Sequence, residues 1–454
     1  PAVICCEADA GEDYGDCYGL CLAYSGNFLA CAQMDQRGQT RVLMGIHPGR
    51  FSFLLKGGES FEAPQVILGY SDQGLTKLSH QYHRILQNHM CRGAYRHKKR
   101  PVLINNWEAT YFDFNGEKIL NIARQAAELG IEMLVLDDGW FGKRDSDYSG
   151  LGDWYVNEKK LGGSLAELSG KIHDMGMKFG LWVEPEMISE DSDLYRAHPE
   201  WAVRIPGREP NRGRSQLVLD LCRQDVRDYL FETLSGLLRE ASVDYVKWDV
   251  NRSTCDLYSN ALGKERMGEV SHRLILGMYE LLERLLTAFP NLLLEGCSGG
   301  GGRFDAGMLY YAPQIWCSDN TDAVNRLQIQ YGTSFFYPVS AVGSHVSAVP
   351  NHQTGRVTSF AARGHVALAG SFGYELDLNK VTEEEKELVK QQVAQFHKYN
   401  TLIREGDYYR IQAPGGRFSA WEFVNREKEH ALLTLVMTSA EGNALPVHAA
   451  VKGL

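Results

Sequence analysis

The chain has 454 residues, 44% hydrophobic and 23% charged. That is the balance of a folded globular protein and a poor fit to disordered or fibrous classes. With 47 Lys and Arg against 57 Asp and Glu, its formal charge is −10, which argues against a nucleic-acid or anionic-membrane binder.

No run of about 18 apolar residues offers a transmembrane helix. The opening Pro1-Ala2-Val3-Ile4-Cys5-Cys6 has no basic n-region, so no signal peptide is predicted. Five of the 10 cysteines (Cys5, Cys6, Cys17, Cys21, Cys31) fall near the start. None forms a C-x-x-C pair, and the reading is reduced thiols in a cytoplasmic protein.

In chain order, residues 1 to about 70 read as antiparallel β. Tyr18–Tyr24 and Phe28–Ala32 are apolar runs around a Ser25-Gly26-Asn27 turn, and Lys56-Gly57-Gly58 is a further turn. Residues 74 to about 90 show a helical period and bridge onward. From about 100, short apolar runs alternate with amphipathic helices. The runs are Val102–Asn105, Glu132–Asp137, Lys178–Val183, Asp244–Asp249, Leu292–Glu295, Gln314–Cys317, Val339–Val342 and Val366–Ala369. Helices are predicted over 116–129, 223–239, 267–288 and 381–398. Eight strand–helix units over about 300 residues make a (β/α)8 TIM barrel, with a doubly wound sheet as the rival. From about 405 the texture returns to β. The predicted domains are 1–90 (end of an N-terminal β-sandwich plus a linker helix), 91–403 (barrel) and 404–454 (start of an incomplete C-terminal β-sandwich).

Barrel chemistry sits at the C-terminal strand ends. There the sequence places Asn105-Asn106-Trp107-Glu108, Asp137-Asp138, Trp182-Val183-Glu184-Pro185-Glu186, Lys247-Trp248-Asp249-Val250-Asn251, Glu295-Gly296-Cys297-Ser298 and Trp316-Cys317-Ser318-Asp319. A buried strand tolerates a carboxylate only at its rim. Tryptophan faces beside carboxylates, amides and an ammonium suit a sugar, whose C–H faces stack and whose hydroxyls take paired hydrogen bonds. Trp107, Trp182 and Trp248 are all read as rim residues. A zinc barrel needs a His-x-His after strand one, which is missing, and His345 after strand seven reads as structural. Asp137, Asp249 and Asp319 could also gather magnesium, so an enolase-type site stays open at this point. Gly299–Arg303 lacks a P-loop ending, and its glycines either admit a ligand or make a tight turn. Asp322 reads as a helix N-cap.

Two carboxylates without metal ligands are the equipment of glycoside hydrolysis, one ionised and one protonated. Lys247, Asp249 and Asn251 share a strand face, and the ammonium favours an ionised Asp249.

The segments "NNWEATYFDF" (105–114), "LDDGWFGKRDSD" (136–147), "GLWVEPEM" (180–187), "YVKWDVNR" (245–252), "EGCSGGGGRFD" (295–305) and "WCSDNTDAVNRLQIQYGTS" (316–334), with "YSGNF" and "GYSDQGL" before them, resemble the bacterial α-galactosidases of glycoside hydrolase family 36, in clan D. The resemblance runs along essentially the whole chain. It implies Asp249 as nucleophile and Asp319 as acid/base of a retaining exo-α-galactosidase acting on melibiose- and raffinose-type oligosaccharides through a covalent β-galactosyl-Asp intermediate. It further implies Asp137 and Asp138 on the C4 and C6 hydroxyls, with Lys247, Asn251, Arg214, Cys297 and Gly299 on other hydroxyls. Trp107 and Trp182 line sugar and aglycone faces, no metal or organic cofactor takes part, and the assembly is a homo-oligomer, commonly a tetramer. An α-N-acetylgalactosaminidase, an α-galactosyl transferase or an inactive fragment are the alternatives. Family members are longer, so the chain is expected to begin inside one β-domain and end inside another.

Overall fold

The computed structural model describes residues 1–440, 442–443 and 445–454. Its centre is a closed parallel barrel of eight strands: β1 (Leu103–Asn105), β2 (Met133–Leu136), β3 (Lys178–Val183), β4 (Tyr245–Trp248), β5 (Leu293–Gly296), β6 (Gln314–Trp316), β7 (Val342–Ser347) and β8 (Ser371–Glu375). β8 pairs with β1 and closes the ring.

The strands alternate between an inner and an outer face. Leu103, Met133, Val135, Tyr245 and Leu293 form an inner cluster with Tyr95, separate from the main core. Gly180 makes room for it, because a Cβ there would stand 2.7 Å from the Tyr245 ring. One step toward the C-terminal rim the inner face turns polar with Asn105, Asp137, Lys247 and Glu295, all buried. Outward-facing Leu181, Val183, Val246 and Leu294 pack on helices Gln224–Glu240 and Val270–Ala288. Burial of this apolar shell is the main stabilising term.

The first six barrel strands lie within a residue or two of their predicted runs. The last two do not. Val339–Ala341, after Pro338, is a 3-10 turn, and β7 begins at Val342. Val366 and Ala367 end a helix, Phe360–Ala367, started by a Ser359 cap. The true eighth strand reads Ser-Phe-Gly-Tyr-Glu. Short apolar runs do not distinguish strand from buried helix, and that ambiguity misplaced it.

Before the barrel, Ala2–Cys6, Cys17–Leu22 and Val66–Ser71 form a three-stranded antiparallel sheet. The hairpin Phe28–Met34/Thr40–Ile46 forms a separate two-stranded sheet, and the helix Gly74–Ile85 follows the third strand of the first sheet. After the barrel, Asp407–Gln412, Phe418–Val424 and Ala431–Met437 form a second antiparallel sheet. Arg410 ties these regions together: its guanidinium bonds Glu12 at 2.8 and 2.9 Å, Ser79 at 3.0 Å and the Ser334 carbonyl at 3.2 Å. Among the described residues no helix is long and apolar enough to cross a membrane.

Candidate active site

A cavity of about 150 Å³ opens at the C-terminal rim. Its wall holds Trp107, Asp137, Asp138, Trp182, Arg214, Lys247, Asp249, Asn251, Cys297 and Asp319. Ten of the eleven sequence-predicted residues therefore meet in one place. Gly299 does not line this cavity; it lines an adjacent groove that shares Asn251 and reaches the site through its backbone.

Asp249 follows β4 and is fixed from both sides. Its Oδ1 accepts the backbone N–H groups of Val250 (2.8 Å) and Gly299 (2.9 Å). Its Oδ2 accepts Asn251 Nδ2 (2.7 Å) and Trp182 Nε1 (3.2 Å). Burial raises the pKa of this carboxyl, but the Lys247 charge and the bonds from Gly299, Asn251 and Val250 outweigh it, leaving it below the ordinary aspartate value. The group is an oriented anion.

Gly299, Gly300 and Gly301 all take positive φ (59°, 83° and 91°). A Cβ on Gly300 would lie 2.6 Å from the Asp319 backbone nitrogen, and one on Gly301 2.6 Å from the Cys317 carbonyl oxygen. The glycine run is thus a close backbone approach between the β5 and β6 ends. It delivers one amide to Asp249 and leaves room for Asp319.

Asp319 accepts Trp316 Nε1 at 3.0 Å on Oδ1. Burial first, then the charges of Asp249 and Glu375, push its pKa up against the opposing pull of Lys247 and the Trp316 bond. The two aspartates are shifted in opposite directions, as an acid and an anion sharing one site require.

Lys247 bonds Asp137 Oδ2 at 2.8 Å, and Asn105 Nδ2 meets the same oxygen at 2.6 Å. Asp138 is gripped by Arg144, whose Nε and Nη2 donate to it at 3.0 and 2.8 Å with both residues buried. Burial pushes the Asp138 pKa up against the pull of Arg144. Arg214 reaches Asn251 Oδ1 at 2.6 Å. The Cys297 thiol is held neutral, first by burial and then by the Asp249 charge.

Trp248 departs from its predicted place. It faces outward among Leu234, Leu238 and Leu282, with its Nε1 on Glu186 at 2.9 Å, because neighbours on a strand point to opposite faces. Asp322 caps the helix Ala323–Thr333, accepting the Val324 and Asn325 amides at 2.9 Å. His345 lies inside β7, its ring 4.5 Å from Trp316 and its Nδ1 3.2 Å from Glu375.

Sequence reasoning passed over Glu375, which lines the cavity at the end of β8. The signal was present in Ser371–Glu375 but was hidden once strand eight had been placed earlier. Thr321, His352 and Gln353 also line the cavity. Thr321 Oγ1 donates to Glu108 at 2.8 Å, and Gln353 Nε2 donates to the Asp319 carbonyl at 3.0 Å. Thr321 stood inside the segment 316–334 but was not singled out, whereas His352 and Gln353 come from the long connection after β7, which carries no local motif.

Comparison with known proteins is consistent along the chain. The family model described as Melibiase matches residues 60–406, and that of the glycosyl hydrolase family 36 N-terminal domain matches residues 1–56. The bifunctional alpha-galactosidase/sucrose kinase AgaSK of Mediterraneibacter gnavus is 57% identical over 100% of this chain and 48% of its own length. Alpha-galactosidase AgaA of Geobacillus stearothermophilus is 54% identical over 100% of this chain and 62% of its own length. The crystal structure of the latter superposes with a TM-score of 0.99, covering 100% of this chain and 63% of that one. A variant of it at 53% identity and TM-score 0.99, covering 100% of this chain and 63% of that one, is in complex with raffinose. The chain thus spans between about half and just under two thirds of the length of these relatives.

Proposed function

The chain belongs to the Melibiase family of glycoside hydrolases, with a family 36 N-terminal domain segment in front, and on that premise we propose that it is a retaining exo-α-galactosidase. The observation that carries this reading is the convergence of Asp249, held by four hydrogen bonds, and Asp319, held by Trp316, in one polar, tryptophan-walled cavity, and the opposite directions in which their surroundings push the two carboxyls agree with it.

Asp249 attacks the anomeric carbon of a terminal α-galactoside. Asp319 donates its proton to the leaving oxygen, and a β-galactosyl–Asp249 ester forms. Water then attacks the ester, with Asp319 as base, and releases galactose with its original α configuration. Trp182 and Asn251 orient the attacking carboxylate. Asp137 and Asp138, each pinned by a cation, accept hydroxyl hydrogens, while Lys247 and Arg214 donate to hydroxyl oxygens. Trp107 offers a flat wall.

Raffinose- and melibiose-type oligosaccharides are the substrates of this reading, supported by the raffinose complex of the relative. We further read the protein as cytoplasmic, from the cysteine pattern of its sequence, and as a homo-oligomer, a tetramer by family resemblance, to be checked by native mass. Proton NMR of raffinose hydrolysis tests the mechanism. α-Galactose is the expected first anomer, and β-galactose appearing first overturns retention. A comparison of aryl α-galactoside with aryl α-N-acetylgalactosaminide separates the two sugar specificities.

A further inference from the structure

Beside the cavity lies a carboxylate that the reaction scheme does not use. Glu184, just past β3, is fully buried. Its Oε1 accepts two donors, the Asn251 backbone N–H at 2.5 Å and Gln216 Nε2 at 2.7 Å. Its Oε2 has no hydrogen-bond partner among the described residues. Asn251 in turn donates its side-chain amide to Asp249 and accepts Arg214 on its amide oxygen. The loop carrying Gln216 passes through positive φ at Arg214 (50°) and Ser215 (60°), a strained path that persists only where neighbours enforce it. Arg252 holds the same loop by donating to the Gln216 carbonyl at 2.7 Å.

We propose that Glu184 is a positioning residue, one carboxyl oxygen of which holds the strand end at Asn251 and the loop at Gln216 together and so sets Asp249 and Arg214 in register across the cavity. The inference rests on the reading of Asp249 as nucleophile. It uses only the acceptor function of Oε1. Burial first, and the charge of Asp249 second, push the Glu184 pKa up to about 8. Asp249 faces it from just past β4 and Arg144 from the loop after β2. A neutral acid suits a place where a second anion beside Asp249 would be costly, and a glutamine can supply the same oxygen.

The test compares Glu184→Gln, Glu184→Ala and Glu184→Asp in the full chain, reading aryl α-galactoside turnover, galactose titration and melting temperature. Glu184→Gln is expected to keep kcat within about threefold, whereas Glu184→Ala loses about 100-fold, the usual effect of misplacing reacting groups by about 1 Å. Galactose binding should weaken about tenfold in Glu184→Ala alone of that pair, through the released Arg214. Should Glu184→Ala not fold, Glu184→Asp, which keeps the acid but withdraws Oε1 by one methylene, must show the loss instead. Wild-type kcat in a folded Ala or Asp variant overturns the proposal. So does a Gln variant as impaired as Ala at equal melting temperature. A wild type that neither turns over the glycoside nor binds galactose overturns the hydrolase reading itself, an outcome distinct from any Glu184 effect.

Discussion

The Lys247 ammonium sits 2.8 Å from Asp137 Oδ2 while standing two residues from Asp249 on the same face of β4. One buried cation therefore serves two anions: it pairs with Asp137 by contact and lowers the Asp249 pKa through space. Sharing is efficient here because the inner wall of the barrel excludes water, so the interaction is screened little.

Lys247→Met should accordingly hurt in two separable ways. The Asp249 pKa rises, so the acidic limb of kcat/KM moves to higher pH, and turnover falls about 100-fold or more for the lost preorganised charge. Asp137 loses its cation, and a buried charge without its partner costs about 3–5 kcal/mol of stability. A pH–rate profile alongside thermal melts checks both. An unmoved acidic limb would show that Lys247 does not tune Asp249.

Two glycines with similar backbones separate strain from placement. Gly176 (φ 79°) has nothing within 4 Å of an added Cβ, whereas Gly300 (φ 83°) has the Asp319 backbone nitrogen at 2.6 Å. Alanine at either position carries a left-handed backbone cost of about 1–2 kcal/mol. Only Gly300→Ala must also push Asp319. Both variants should melt earlier, and Gly300→Ala alone should lose about tenfold or more in kcat. Equal kcat in the two variants would mean that the glycine run does not place the acid.

The barrel and most of the candidate cavity's lining were legible in the sequence because the relevant signals are local. Lys247, Asp249 and Asn251 share a face by strand period alone. The same period misled at Trp248, which stood between charged neighbours in the text of the chain yet points outward to the helices. Glu375 was lost when an apolar helix end at 366–369 stood in for β8. Glu184 was visible as a strand-end acid, but its tie to Asn251 and Gln216 spans separations of 67 and 32 residues, and nothing in a linear motif specifies such a contact.

Asp319 and Asp322 give a paired test of the proton donor. Asp319→Ala should slow raffinose by about two to four orders of magnitude, because its leaving group needs a proton. It should slow glycosylation by a nitrophenyl galactoside far less, since that anion departs unaided. Asp322 holds two helix amides along with Thr354 and Arg356, so Asp322→Ala should cost about 1 kcal/mol or more of stability without discriminating between leaving groups. If the leaving-group dependence follows Asp322 instead, the acid is misassigned.

Glu184 also makes a prediction about stability that needs no substrate. Its ordinary pKa of 4.5 is pushed up to about 8 in the folded protein by burial and then by Asp249. Between those two values the folded state keeps a proton that the unfolded chain has released. The number of bound protons is then larger in the native state, so stability falls as pH rises, by about 1.4 kcal/mol per pH unit for one full proton. The stabilisation is complete below pH 4.5 and gone above about 8. Glu184→Gln removes this proton from both states. Other raised carboxyls, Asp138 and Asp319 among them, contribute equally to variant and wild type and cancel in the difference. Denaturant melts at pH 5 and pH 8 should therefore show Glu184→Gln gaining on the wild type as pH increases. A difference that stays constant across that interval would mean that Glu184 is ionised in the folded protein, with two anions held side by side at the Asn251 amide.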